Sequence, residues 1–223
     1  AKTLKIPSGE ITNVPLLRKF CEYKFENVYL STGMANLGEI EKAINIMLES
    51  GIQREKITIL HCTTEYPAPD DQINLRSMLT VKDAFQMEIG LSDHSCGIEI
   101  PFAAVALGAK VIEKHFTLDR GMVGPDHLAS IEPDMLRKLV KGIRKIELAL
   151  GSYVKAPTEA ERSNIISARK SIVAKTMIHK GDIFSEENLT TKRPGDGISA
   201  DKWDFVMGKV SRLKFDPDEK IVL

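Results

Sequence analysis

Two histidines, His94 and His115, have the residue type and the spacing to hold a metal ion. Each follows a short apolar run that predicts a buried strand, and the two predicted strands are neighbours. Carboxylates occur nearby at Glu10, Glu113 and Asp126. Two neutral nitrogen ligands with carboxylates and open positions suit Mn²⁺ or Mg²⁺ with retained waters, or Zn²⁺. The alternative is a pair of hydrogen-bonded structural histidines, and residue type and placement alone leave both open.

An anion site is predicted by one lysine and three serines, Lys5, Ser8, Ser31 and Ser92. An ammonium group and hydroxyls near helix N-termini can bind a phosphate or a carboxylate. The alternative is an exposed lysine and serines that only cap helices. Tyr66, in a loop that contains two prolines, is suited either to a sugar contact or to plain loop packing.

Polar residues, among them Ser8, Ser31, Ser92, His94 and His115, occur at or just after the ends of five predicted strands. Each strand is a short apolar run, as expected when both faces of a strand are buried, and helical periodicity fills the stretches between them. This alternation is typical of βαβ units around a parallel sheet. The predicted strands are Leu4–Pro7, Val28–Ser31, Ile57–Cys62, Glu88–Leu91 and Val111–His115.

Five strands with right-handed crossovers cannot close an eight-stranded barrel. The sheet is therefore either open or part of a barrel. Polar residues at five successive strand ends favour the barrel, because the carboxyl ends of its strands form the active-site face. We predict an α/β fold in which residues 1–151 form the C-terminal five βα units of a (β/α)8 TIM barrel.

The composition of the chain changes after Gly151. Residues 152–164 are polar and include Pro157, which predicts a linker. Residues 165–223 are predicted to form a small β-rich domain with strands at Ser171–Ala174 and Gly208–Leu213. A domain of this size buries little apolar surface, so we expect it to dock against another surface.

The composition excludes several classes of function. The 223 residues include 31 Lys and Arg and 31 Asp and Glu, without the basic footprint of a nucleic-acid or membrane-surface binder. The 3 cysteines do not form a disulfide framework. Apolar runs fall short of the roughly 20 residues that span a bilayer, and the first residues lack the core of a signal peptide. We therefore predict a cytoplasmic protein whose partners are small molecules, not nucleic acid or a membrane.

A set of short motifs resembles the sialic-acid synthase family. Each motif alone is weak, but their order and spacing together are specific, and they cover essentially the whole chain. They are Lys5-Ile-Pro-Ser-Gly-Glu10, Leu30-Ser-Thr-Gly-Met34, Leu60-His-Cys-Thr-Thr-Glu-Tyr-Pro-Ala-Pro69, Gly90-Leu-Ser-Asp-His94, Val111-Ile-Glu-Lys-His-Phe-Thr117, Gly124-Pro-Asp126 and Lys192-Arg-Pro-Gly195.

The resemblance implies both a fold and a reaction. Family members are TIM barrels that end in an antifreeze-like (SAF) domain. They condense phosphoenolpyruvate with an N-acetylated amino sugar and water, and they release phosphate by C–O cleavage to give a nonulosonic (sialic-type) acid. Members also carry three further barrel strands ahead of the region matched here, so we expect this chain to correspond to the C-terminal two-thirds of one.

The resemblance also implies roles for individual residues. It implies that His94 and His115 hold Mn²⁺ or Mg²⁺, and that Glu10 and Glu113 serve in acid/base catalysis or position water. Thr64 stands where some members have asparagine at the phosphoenolpyruvate site. The implied phosphoenolpyruvate contacts are Lys5, Ser8, Ser31, Thr64 and Ser92.

For the acceptor sugar, the resemblance implies contacts from Tyr66, Asp126 and Arg193. Arg193 is implied to reach from the small domain into the partner subunit's site, within a homodimer that swaps this domain. The acceptor stays open between N-acetylmannosamine and 2,4-diacetamido-2,4,6-trideoxymannose. The string Gly124-Pro-Asp-His-Leu-Ala-Ser130 resembles the legionaminic-acid branch more than some N-acetylneuraminate synthases.

Three other functions remain as alternatives. A 3-deoxy sugar-acid synthase would use the same donor but would carry a second basic cluster and no antifreeze-like tail. A non-catalytic carbohydrate-binding module would use the barrel strands only as a scaffold. An aldolase acting on free pyruvate would need a Schiff-base lysine inside a strand, for which Lys114 is the candidate.

Overall fold

The computed structural model describes residues 2–223, which divide into two compact units, the first ending at Ser152 and the second beginning at Tyr153. The first unit alternates strands and helices, as the sequence predicts. Its strands are β1 (Thr3–Ile6), β2 (Asn27–Ser31), β3 (Ile57–Cys62), β4 (Glu88–Asp93) and β5 (Val111–Lys114). Its helices are α1 (Val14–Cys21), α2 (Leu37–Glu49), α3 (Ser77–Phe85), α4 (Glu99–Ala106) and α5 (Pro133–Leu150).

The five strands form one parallel sheet in the order β1-β2-β3-β4-β5. The strands are apolar because most of their side chains are buried. Val28, Leu30, Ile59 and Ile89, for example, are almost fully buried. β4 continues to Asp93, two residues beyond its predicted end. Its last residues are polar but paired with side chains of β5, so the polar pattern does not mark the end of the strand.

The sheet is curled rather than flat. β1 and β5 are its two edge strands, yet Nζ of Lys5 lies 3.0 Å from a carboxylate oxygen of Glu113. Side chains from opposite edges can meet only if the sheet bends around its inner face. This curvature, with the parallel order, confirms the predicted five βα units of a TIM barrel.

Local signals in the sequence account for the helices. Helix α2 begins with a capping box between Asn36 and Glu39 and is followed by Gly51 in a left-handed conformation. Helix α4 begins at Glu99 and contains Pro101 in its first turn, where proline is tolerated. Helix α5 has Pro133 as its first residue, a position that favours proline.

The second unit contains α6 (Glu159–Ala168), β6 (Ser171–Ala174), β7 (Leu189–Lys192) and α7 (Trp203–Val206). β6 pairs antiparallel with β7 over a core that includes Ile172 and Phe184. The strand predicted at Gly208–Leu213 is wrong, because that stretch contributes a single bridge between Val210 and Ile183. Helix α6 begins inside the stretch predicted as a linker.

No helix within residues 2–223 combines the length and the apolar character that crossing a bilayer requires.

Gly90 lies at the most crowded point of the sheet. A Cβ atom there would lie 2.5 Å from the carbonyl oxygen of Val111 and 2.6 Å from Cδ2 of Leu60. We expect Gly90→Ala to lower the free energy of unfolding by about 1–3 kcal/mol, because neither β3 nor β5 can move away without breaking the ladder. Urea denaturation measures the change. Gly9→Ala is the control, since a Cβ at Gly9 would have no neighbour within 4 Å; equal effects in the two variants would contradict the packing argument.

Candidate active site

The inner face of the curled sheet is identified by strand register. Side chains alternate between the two faces of a strand, and residues paired in register share a face. Glu113 faces the interior because it meets Lys5 across it. Ser92 is its partner in register, and Cys62 is the partner of Ser92, so both share the inner face. Ser31 pairs with Leu60, two residues before Cys62, and also belongs to this face.

A cation, a hydroxyl and a carboxylate meet at the carboxyl edge of this face. Glu113 Oε1 accepts a hydrogen bond of 2.9 Å from Ser92 Oγ and lies 3.0 Å from Lys5 Nζ. The Lys5 and Glu113 side chains are about one-third exposed, at 35% and 33%. The lysine is therefore held at the site and still open to an anionic ligand, which disfavours the alternative of a lysine exposed without a role.

Two hydroxyls lie beside this cluster on the loops that follow the strands. Ser8 Oγ and Thr64 Oγ1 are 3.1 Å apart. Gly33 permits this approach, because a Cβ there would lie 2.4 Å from both residues and its φ of +46° suits glycine. Among the described residues, Ser31 Oγ is the buried side-chain oxygen without a hydrogen-bond partner. A buried unpaired hydroxyl is costly, so a ligand that bonds it would gain affinity.

His94 and His115 converge above the same edge. Their ring centroids are 5.3 Å apart and their planes lie at 82°. His94 is buried, and its Nδ1 donates to the carbonyl of Thr63 at 2.7 Å, which leaves Nε2 with the free lone pair. Burial lowers the pKa of the His94 imidazole below its ordinary value, so the ring is neutral at neutral pH.

Tyr66 and Asp126 lie against the histidine pair. The Tyr66 ring centroid is 4.1 Å from that of His94 and 5.3 Å from that of His115. Asp126 Oδ2 lies 3.9 Å from His115 Nδ1. The proline-containing loop after β3 and the loop after β5 thus both reach the imidazoles.

The histidine pair fits part of a metal site. A neutral imidazole whose other nitrogen donates to a carbonyl has the orientation typical of a metal ligand. Within residues 2–223, no group of three or more His, Cys, Asp or Glu side chains is arranged to hold an ion. The pair therefore suits an ion that takes its remaining ligands from water or substrate oxygens.

Two predicted residues have contacts of their own outside this group. Glu10 Oε2 accepts a hydrogen bond of 2.6 Å from Asn13, which caps the start of α1. Arg193 lies in the second unit, where its Nε donates to the carbonyl of Ala168 at 3.0 Å. The roles predicted for Glu10 and Arg193 stay predictions.

Sequence analysis missed one residue of the cluster, Cys62. Its side chain is 3% exposed and its Sγ lies 3.9 Å from His94 Nδ1. Burial raises the pKa of its thiol, while Ser92 and Lys5 act in the opposite direction. Strand alternation places it on the same face as Ser92, but an apolar run containing one cysteine gives no separate signal. A protonated thiol at this position packs the floor of the site.

Comparison with known proteins identifies the family. The model of the NeuB family matches residues 1–155, and the SAF domain matches residues 169–222. The chain belongs to the NeuB family. The predicted resemblance to sialic-acid synthases with an antifreeze-like domain is confirmed.

Relatives of this NeuB-family chain have informative names. It is 54% identical to N,N'-diacetyllegionaminic acid synthase of Campylobacter jejuni over 99% of this chain and 66% of that protein. It is 44% identical to N,N'-diacetyllegionaminic acid synthase of Legionella pneumophila over 95% of this chain and 59% of that protein. The crystal structure of the N-acetylneuraminic acid synthetase of Leptospira borgpetersenii, in complex with citrate, aligns with a TM-score of 0.68 at 39% identity, covering 74% of this chain and 56% of that one. The chain thus spans 66% and 59% of the length of these two curated relatives, and about half the length of others that it matches.

The aldolase alternative does not fit this NeuB-family chain. Lys114 has its side chain only 4% exposed, and its ammonium is paired with Asp93. Lys114 also follows Glu113 on β5, so alternation turns it toward the face opposite the site. A lysine buried in an ion pair on that face cannot form a Schiff base with a substrate on the inner face.

Proposed function

We propose that the protein condenses phosphoenolpyruvate with an N-acetylated amino sugar and water to give a nonulosonic acid and phosphate. The observation that carries the proposal is the meeting of Lys5, Ser92 and Glu113 with His94 and His115 at one edge of the sheet. This group brings together a lysine that can bind an anion and two imidazoles that can bind a metal ion. The names of the two legionaminic acid synthases support the same reaction.

The donor would bind at the cation. The Lys5 ammonium would exchange part of its contact with Glu113 for an anionic group of phosphoenolpyruvate, and the Ser92 hydroxyl would bind beside it. Ser31, whose buried hydroxyl lacks a partner among the described residues, would donate to the same ligand. Ser8 and Thr64 would complete the hydroxyl lining.

The reaction needs three proton movements. The alkene carbon of phosphoenolpyruvate forms a bond to the sugar aldehyde carbon, whose oxygen takes up one proton. Water then adds to the cationic carbon and loses a proton; the resulting hydroxyl becomes the keto group as its own proton passes to the departing phosphate and the C–O bond breaks. Glu113, released from Lys5, would hold one of these protons. Glu10 would serve only after leaving Asn13.

His94 and His115 would hold a divalent metal ion, for which we propose Mn²⁺ or Mg²⁺. Such an ion supplies a Lewis acid for the aldehyde oxygen and orients water. Two contacts support this role: the carbonyl of Thr63 fixes the tautomer of His94, and Tyr66 packs against both rings. Tyr66 and Asp126, at the same rings, would contact the acceptor.

We propose 2,4-diacetamido-2,4,6-trideoxymannose as the acceptor, in preference to N-acetylmannosamine. The two relatives described above at 54% and 44% identity are both named for legionaminic acid. The motifs around Gly124 to Ser130 favour the same branch. A cytoplasmic location belongs to this proposal, and the three cysteines that the structure describes are free, as in a reducing compartment.

Arg193 would bind the acceptor of the partner subunit in a swapped homodimer. Nε of its guanidinium donates to the carbonyl of Ala168, and the terminal nitrogens would contact an N-acetyl oxygen. We expect Arg193→Ala to raise KM for the acceptor about tenfold or more, with a much smaller effect on KM for phosphoenolpyruvate. Initial rates with each substrate varied in turn measure this, with Arg212→Ala as the control in the same unit. Equal increases in both KM values would contradict the role.

The test of the proposed function is phosphate release by the full-length protein with phosphoenolpyruvate, Mn²⁺ and each acceptor in turn. We expect release that requires one acceptor and stops with a chelator. Release without any acceptor, or none with either sugar, would contradict the proposal.

A further inference from the structure

A buried ion pair lies directly behind the histidines. Lys114 Nζ lies 2.5 Å from Asp93 Oδ2, and the two side chains are 4% and 2% exposed. Lys114 also donates to the carbonyl of Ser95 at 2.7 Å. The other carboxylate oxygen of Asp93 accepts from the hydroxyl and the amide of Ser95, at 2.7 and 3.0 Å. Both charges are therefore fully engaged, and the proposed reaction uses neither.

The pair lies one residue before each of the two histidines. Asp93 and Lys114 are partners in register between β4 and β5, and they precede His94 and His115 respectively. Alternation places this pair on the face opposite the two imidazoles. Lys114 accordingly lines a cavity with residues of α4 and α5, on the helix side of the sheet.

Stability alone does not explain two charges at this position. Burying an ion pair has a desolvation cost that its attraction barely repays, and an apolar pair of similar volume is often as stable. A charged pair differs in one respect, which is register. A slip of one residue between two strands would turn every side chain to the other face and leave both buried charges without partners.

The contacts to Ser95 continue past the end of β4. His94 lies between Asp93 and Ser95, and both of these residues are bonded to Lys114. The backbone on each side of His94 is thus tied to β5 at the residue before His115. Few movements of one imidazole relative to the other remain possible without breaking these bonds.

We propose that Asp93 and Lys114 are positioning residues that hold His94 and His115 at the separation needed to share one ligand. The proposal rests on the proposed function in one respect, that the shared ligand is a divalent metal ion. The ion pair acts through the backbone, and neither side chain touches the substrate.

The test replaces the ion pair by an apolar pair in the full-length protein. Asp93→Leu combined with Lys114→Met removes both charges together, so no unpaired charge remains. The control is Lys19→Met combined with Glu22→Leu, which removes an exposed pair in the same unit. Asp93→Asn combined with Lys114→Gln is a second variant that also removes both charges together but keeps polar side chains, and it decides the question with the same readouts if the first double variant does not fold.

Three readouts separate positioning from stability. The first is the midpoint of denaturant unfolding. The second is the proton NMR signal of His94 Nδ1–H, which the bond to Thr63 protects, recorded without metal. The third is the affinity for Mn²⁺ alone, measured by titration.

We expect the double variant to fold but to unfold at a somewhat lower denaturant midpoint, because the buried Ser95 loses its hydrogen-bond partners. We expect it to lose or shift the His94 signal and to bind Mn²⁺ about 10 to 100 times more weakly. The control variant should match the wild type in all three. A folded double variant with the wild-type His94 signal and affinity would overturn the proposal. If the wild type itself does not bind Mn²⁺ but the His94 signal responds as expected, the positioning role stands and the metal part of the proposed function fails.

Discussion

The His115→Ala variant is expected to lose Mn²⁺ binding and to turn over at least about a thousandfold more slowly than the wild type, with its fold intact. His115 is one of the two imidazoles that converge at the site, and no group of three or more His, Cys, Asp or Glu side chains within residues 2–223 is arranged to hold an ion. A site with so few protein ligands cannot keep an ion after losing one of them. His115 is also about one-third exposed, so its removal leaves little unfilled space in the core.

Titration with Mn²⁺ and a steady-state rate measure this prediction, and circular dichroism checks the fold. His179→Ala is the matched control, because His179 is an exposed histidine of the second unit. An unaltered Mn²⁺ titration in His115→Ala would show that His115 does not bind the ion and would contradict the proposed metal site.

The second large effect is expected at Lys5. Lys5→Met keeps the length of the side chain and removes the only charge opposite Glu113 in the ion pair across the sheet. A hydrogen bond to a charged ligand contributes about 1.5–3 kcal/mol, so KM for phosphoenolpyruvate should rise about 10- to 100-fold. KM for the acceptor sugar should change little, because Tyr66 and Asp126 lie at the histidines instead.

Lys2→Met is the control for Lys5→Met. Lys2 also forms an ion pair near the start of the chain, with Glu26, but its side chain is 81% exposed. We expect wild-type kinetics from it. Parallel increases in both KM values for Lys5→Met, or a similar loss in Lys2→Met, would mean that Lys5 does not select the donor.

The strands could be predicted because burial on both faces leaves an apolar run with few other interpretations. Ile57–Cys62 and Ser171–Ala174 were predicted with the bounds that the structure has. The predicted end of a strand is wrong where polar residues continue the strand. Ser92 and Asp93 belong to β4 because Glu113 and Lys114 satisfy them, and a single sequence does not show partners that are twenty residues away.

Most residues of the site could be predicted from the sequence, but the contacts between them could not. Strand ends identified His94, His115 and Ser92, since all carboxyl ends of a parallel sheet lie at one edge. The ion pair of Lys5 with Glu113 depends on the curvature of the sheet, which hydrophobic patterns do not encode. The small domain was harder, because much of it is held by isolated bridges such as that between Ile178 and Phe215, and one bridge leaves no strand-length pattern.

The most direct measurement follows the oxygen atoms of the donor. The full-length protein would receive Mn²⁺, 2,4-diacetamido-2,4,6-trideoxymannose and phosphoenolpyruvate labelled with ¹⁸O in the bridge between carbon and phosphorus, and mass spectrometry would analyse both products. We expect a nonulosonic acid without the label and phosphate that carries it, because the C–O bond breaks. Label retained in the organic product, or no nonulosonic acid at all, would contradict the proposed condensation.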